Sequence, residues 1–196
     1  MDSPSRIERS NQADANEVEA VLIKASVAAE QALRFALLKH HPTHSTRERQ
    51  TGAAATITYC NIVRYWVMSE ISTRQGLAPL LWMLDTACAL VEAKKWYFEK
   101  GNPSLIEIAR ERGYDLAVLK QELKTLKQQH PLHEIGKYKP YRNKTGYHYD
   151  HDMLLHLDAF GQKDDYNRFL DIIRRYKTYS DGWAKLFKKI VGVQAS

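Results

Sequence analysis

Apolar residues recur along this chain at three- and four-residue intervals, and no stretch alternates long enough to demand a strand, so the pattern predicts an all-α protein. Val18, Val21, Leu22, Ala25, Ala29, Ala32, Leu33, Ala36 and Leu37 mark a long first helix, which His40-His41-Pro42 ends. After a polar linker, Ile57, Cys60, Val63, Trp66 and Val67 carry a second helix to about Ser72, and a third runs from Leu77 to Phe98, closed by Gly101-Asn102-Pro103. Ser104 with Glu107 has the spacing of a capping box and starts a short helix that Gly113 stops. Another begins near Asp115, carries Leu116, Leu119, Leu123 and Leu126 as an apolar stripe, and reaches His130-Pro131. A loop containing Lys, Tyr and Pro leads to Tyr141. Beyond it Met153, Leu154, Leu157 and Phe160 mark one helix, Tyr166 to Tyr179 another, and Trp183, Leu186, Phe187 and Ile190 a last amphipathic one.

Composition adds bounds to this picture. A chain of 196 residues, 44% hydrophobic and 27% charged, can bury a core without disulfides or metal. The expected organisation is a flexible tail over residues 1–14 and a single helical domain over 15–196 that includes the basic C-terminal helices. No apolar run reaches the ~18–20 residues that span a bilayer, and Met1 to Asn11 is polar, so a cytoplasmic protein away from membranes is expected. Cys60 and Cys88 lie in apolar helical stretches, without zinc-ligand spacing, and read as reduced core residues.

The formal charge of +6 permits nucleic-acid binding without requiring it, and its distribution says more. Lys137, Lys139, Arg142 and Lys144 crowd one segment with no acid among them. Arg174, Arg175, Lys177, Lys185, Lys188 and Lys189 load the C-terminus against Asp181 alone. The plain alternative is a solvated loop and solvated helix faces.

Three constellations could carry chemistry. The first is Lys139 to Asp150, which holds an always-charged guanidinium in Arg142, an amide in Asn143 and an imidazole in His148 that can exchange a proton near neutral pH. Metal-free RNA cleavage needs such groups: an acid or base to move protons at the 2′-hydroxyl and the leaving oxygen, and a cation to stabilise the phosphoryl oxygens. Residues six apart on one helix lie roughly 120° from each other around the axis, so Arg142 and His148 meet only if the helix starts late or two protomers contribute. The plain alternative has Arg142 paired with a nearby acid and His148 packed. The second constellation, His148, Asp150, His151, Asp152 and His156, has ligand-type side chains, but at a spacing that cannot bring all five together; no metal site is assigned. The third is Ala109, four before Gly113, followed by Leu119, which mimics a DNA-binding helix-turn-helix, although Asp115 and Glu122 sit beside Lys120 and Lys124 on its second helix; an ordinary helical hairpin explains the same residues.

Arg142-Asn143, four residues and His148 resemble the Arg-polar-x(4–6)-His signature of the HEPN superfamily, many of whose members are metal-independent endoribonucleases of toxin–antitoxin and abortive-infection (phage-defence) systems. Leu80-Leu81-Trp82-Met83-Leu84-Asp85 and Asn102-Pro103-Ser104-Leu105-Ile106, followed by a long helix and then Arg142-Asn143-Lys144, look like its abortive-infection U branch, a similarity that spans roughly Tyr59 to Phe160. The resemblance implies an antiparallel helical bundle of HEPN type acting on RNA without a cofactor, or, as in many HEPN domains, a catalytically silent RNA-binding or interaction module. In the first case His148 is the catalytic histidine, Arg142 stabilises phosphate and Asn143 orients the site; Lys137, Lys139, Lys144 and Tyr147 are the candidate RNA-binding residues around them. It further implies a homodimer with both signatures in one cleft, and a cognate antitoxin, of which a nucleotidyltransferase is one class. In HEPN toxins silenced by nucleotidylation a tyrosine stands two residues after the histidine; here that place is Asp150, and Tyr149 is adjacent.

Overall fold

The computed structural model describes residues 6–71, 78–140, 142 and 163–192. They are helical almost throughout, with no strand among them, in the order α1 (Arg6–Ala36), α2 (Thr46–Ile71), α3 (Ala78–Trp96), a π-helical turn (Tyr97–Gly101), α4 (Asn102–Glu111), α5 (Leu116–Gln129), a 3-10 helix (His133–Tyr138) and α6 (Lys163–Val191). None of these helices is long and apolar enough to cross a membrane. The helix expected over Met153 to Phe160 lies outside the described residues.

Both early helices start before their apolar patterns do. The tail expected over residues 1–14 is helical from Arg6, a stretch in which Arg, Glu, Gln and Ala are good helix formers. α2 begins at Thr46, eleven residues before Ile57, and the reason is local: Ser45 and Glu48 form a capping box, the Ser45 N–H donating to Glu48 Oε2 at 2.8 Å and the Glu48 N–H to Ser45 Oγ at 3.2 Å. α1 packs along α2, and its outer face leaves Ile23, Val27 and Leu33 exposed.

Three glycines then behave differently. Gly113 does stop α4: its φ of +69° suits a residue without Cβ, and the Gly113 N–H bonds Arg110 O while the Tyr114 N–H bonds Ala109 O, closing a Schellman turn. Gly101 does not close α3. Its φ and ψ of −61° and −52° are helical, and the chain passes through the π turn into α4, with Pro103 in the first turn where its missing N–H costs nothing. The expected capping box at Ser104 and Glu107 is accordingly not a helix start. Gly101 is needed because the Trp96 ring lies 2.9 Å from where a Cβ would stand. At Gly182 a Cβ would meet Leu126 Cδ1 at 2.4 Å, so glycine lets α5 press on α6, and the two expected C-terminal helices are one continuous helix.

The core gathers where α6 crosses the π turn. Trp183 stacks edge-on to Trp96 and Tyr97, and its indole N–H donates to Asn102 Oδ1 at 2.9 Å. Tyr97, Tyr176 and Tyr179 are fully buried, and burial pushes the Tyr97 hydroxyl up to about 12 against its hydrogen bond with Ser180. Cys60 is a buried free thiol and Cys88 a half-buried one.

Candidate functional site

The segment singled out for RNA chemistry reaches the described structure at its front edge. Ile135 and Tyr138 are three residues apart on the 3-10 helix, share one side of it and are both buried, Tyr138 edge-on to Phe169 of α6 at 5.5 Å. That pinning leaves Lys137 and Lys139 exposed. The backbone turns helical again at Lys139 and Pro140, as it is at Arg142.

Opposite stand the last turns of α3. Between the two surfaces lies a cleft of about 400 Å³ whose charged lining is Lys94, Lys95, Lys139 and Arg142 against Glu92 and Glu99. Arg142 Nε meets Glu92 Oε1 at 2.5 Å, with the two side chains 40% and 52% exposed. The pairing with a nearby acid that the plain reading of Arg142 anticipates is therefore present. Lys94 reaches His133 O at 3.4 Å, and its ammonium is held below the ordinary lysine range, first by partial burial and then by repulsion from Lys139 and Lys127. The positive cluster is thus denser than the Lys137–Lys144 segment alone. Lys137 lies beside the cleft, its Nζ 5.2 Å from the Tyr138 ring centroid.

Asn143, Lys144, Tyr147 and His148 lie outside the described residues, as do Tyr149, Asp150, His151, Asp152 and His156. Among the described residues no three potential metal ligands cluster. Sequence reasoning missed Glu92, Lys94 and Lys95. The signal was the adjacent Lys94-Lys95 at the end of a largely apolar helix.

The second basic region is partly neutralised, by a carboxylate of α6 itself and by two from other elements. Arg174 pairs with Asp171 at 2.9 Å, Arg175 with Glu134, and Lys189 with Glu122 at 2.8 Å, while Lys177 sits over the Trp66 ring at 5.2 Å. In the helix-turn-helix-like stretch Ala109 and Leu119 are buried, and Lys120 and Gln121 are exposed. The first turn of its second helix is occupied by a carboxylate, since Asp115 accepts from the Ala117 and Val118 N–H groups at 2.7 and 3.2 Å.

Compared with family models, curated proteins and solved structures, the chain matches none.

Proposed function

We propose that the protein is a metal-independent endoribonuclease of HEPN type, a homodimer acting on RNA as a toxin or in phage defence. The observation that carries the reading is the cationic cleft: the sequence run Arg142-Asn143-x4-His148 begins on its wall, where a half-exposed guanidinium stands among Lys94, Lys95 and Lys139. Such a wall attracts a polyanion and suits a phosphoryl oxygen at Arg142. In the proposed reaction His148 takes the proton of the ribose 2′-hydroxyl, the 2′-oxygen bonds to phosphorus as the bond from phosphorus to the 5′-oxygen breaks, and the protonated His148 returns its proton to the leaving 5′-oxygen. The products are a 2′,3′-cyclic phosphate and a 5′-hydroxyl, with no water, metal or cofactor consumed. Asn143 orients the site, Lys137, Lys144 and Tyr147 extend the RNA contact, and a cognate antitoxin controls it.

The test is incubation of the purified chain with labelled RNA in EDTA. Cleavage with cyclic-phosphate ends is expected, and His148→Ala should slow it on the order of 10²–10⁴-fold, the usual contribution of a positioned acid or base. A requirement for added divalent metal, or an unchanged rate in a folded His148→Ala variant, overturns the reading. Light scattering should give a dimer mass at micromolar protein.

A further inference from the structure

The end of α3 borders a second hollow besides the cleft at Arg142. Lys94 and Phe98, four residues apart, line both that cleft and a pocket of about 250 Å³. The rest of the pocket is formed by Lys127 in the last turn of α5 and by Pro131, Leu132 and His133, where the chain turns into the 3-10 helix. Its walls combine hydrocarbon with cations, and none of its described lining residues is a carboxylate.

The charge here is unopposed and within reach of a ligand. Lys94 is half-buried, and its Nζ makes one long hydrogen bond, 3.4 Å to His133 O. An ammonium has three N–H donors, so donors remain for a further acceptor. Partial burial, then repulsion from Lys139 and Lys127, holds Lys94 below the ordinary lysine range. Neither Lys94 nor Lys127 pairs with any described carboxylate, whereas Arg142 in the adjoining cleft meets Glu92. Lys127 is exposed, its Nζ 5.3 Å from the centroid of the half-buried Phe98 ring. Two mutually repelling ammonium groups and an aromatic ring thus line one pocket without an acid.

We infer that this pocket takes one unpaired nucleotide of a single-stranded RNA that also occupies the cleft at Arg142, its phosphate between Lys94 and Lys127 and its base against Phe98 and Pro131. A phosphate accepts from both lysines and relieves their repulsion. An exposed cation–π contact is weaker than a charge-assisted bond to phosphate, so Lys127 can exchange the Phe98 face for the phosphate and leave the ring to a base. The volume suits a single ring system, and a base must leave its stack to enter, which excludes a duplex. The inference rests on the RNA reading for its polymer and is tested by binding, not cleavage.

Anisotropy titration of the full chain with a labelled 2′-O-methyl RNA decamer tests it, because that strand cannot be cut through its own 2′-oxygen. The single strand is expected to bind on the order of tenfold more tightly than the same strand in a duplex. Lys94→Gln and Lys127→Gln should each weaken the single strand and lower the slope of log affinity against log salt by about one. Lys185→Gln, which removes the same charge from α6 outside both hollows, should leave the slope in place. Phe98→Leu keeps an apolar side chain but offers no ring, and should weaken the strand on the order of tenfold with the slope intact. Melting temperatures of the two lysine variants should not fall, since each removes a repulsion; if Phe98→Leu fails to fold, the lysine slopes and the duplex ratio still decide. No strand binding at micromolar protein, equal affinity for strand and duplex, unchanged slopes in both lysine variants, or competition by adenosine monophosphate at the strand's own concentration overturns the inference. The expected binding pattern in a chain that leaves unmodified RNA uncut would sink the nuclease reading and still support the pocket.

Discussion

Two arginine–glutamate pairs in this molecule have the same contact length, 2.5 Å, and opposite surroundings. Arg112 and Glu48 are 16% and 2% exposed, and every oxygen around them is engaged: Glu48 takes two guanidinium bonds and the Ser45 N–H, while Arg112 also donates to Thr43 O. This pair braces the end of α4 against the start of α2. Arg142 and Glu92 are half-exposed on the wall of a cleft. Removing one partner of the first strands a buried charge, whereas Arg142 can exchange a carboxylate for another anion at little cost, because water screens the pair. Burial, more than contact length, separates a brace from a group available for chemistry.

The largest effect should come from breaking the brace. Glu48→Gln is expected to lower stability by about 3 kcal/mol, the low end for a buried pair because Arg112 keeps some access to water. Urea unfolding measures this, and RNA affinity per folded molecule should not change. The same carboxylate sets an acid limit. Burial alone would raise its pKa, but the hydrogen bonds from Arg112 and the Ser45 N–H outweigh that and hold it below the ordinary 4.5. A lowered folded value means that this stabilisation is complete above pH 4.5 and is lost as pH falls through the folded value. The Gln variant should therefore show a flatter stability profile in acid. Equal acid sensitivity in both chains would remove Glu48 from the account.

A smaller effect, of a different kind, is expected at the cleft. Arg142→Ala should change stability by less than about 1 kcal/mol, as exposed pairs do. It should weaken binding of single-stranded RNA and reduce the slope of log affinity against log salt by about one, since one phosphate contact and its released counter-ion are lost. Anisotropy titrations at several salt concentrations read both quantities. A large loss of stability would make Arg142 a second brace and erase the contrast between the two pairs.

How far the sequence could be read follows the same division between local and assembled features. The all-α class was legible because nearly every apolar residue sits at helical spacing, and the ends at Asp115 and Gly113 were legible because a side-chain cap and a positive φ are local devices. The capping box that starts α2 is equally local in Ser45-x-x-Glu48, but the apolar pattern of that helix begins only at Ile57. The close at Gly101 and the break between Tyr179 and Trp183 were misread for a physical reason: Gly101 and Gly182 each accommodate a ring or side chain packed against them, which one-dimensional spacing does not contain. The same limit applied to charge. Near Arg174 to Lys189 the sequence offers Asp181 as the local acid, and the neutralising carboxylates include Glu134 and Glu122 from elsewhere in the chain. The cleft drew Lys94, Lys95 and Glu92 from a helix more than forty residues before Arg142, whereas Arg142 and Lys139 could be chosen from their own neighbourhood.

The smallest effect separates two roles for Glu92. If Arg142 is available to phosphate and Glu92 merely occupies it, Glu92→Gln removes a negative charge from the cleft and releases the guanidinium from that carboxylate. A half-exposed pair is worth about 1 kcal/mol at most, so RNA affinity should rise by no more than about fivefold, with stability nearly unchanged. The gain should shrink as salt is raised, because the charge removed is screened over a few ångströms of water. The double variant Glu92→Gln with Arg142→Ala should lose most of the gain, since much of it passes through the arginine. A fall in affinity at unchanged stability would instead make Glu92 the group that holds Arg142 in its RNA-contacting position, and a fall in stability would place this pair with the brace at Glu48.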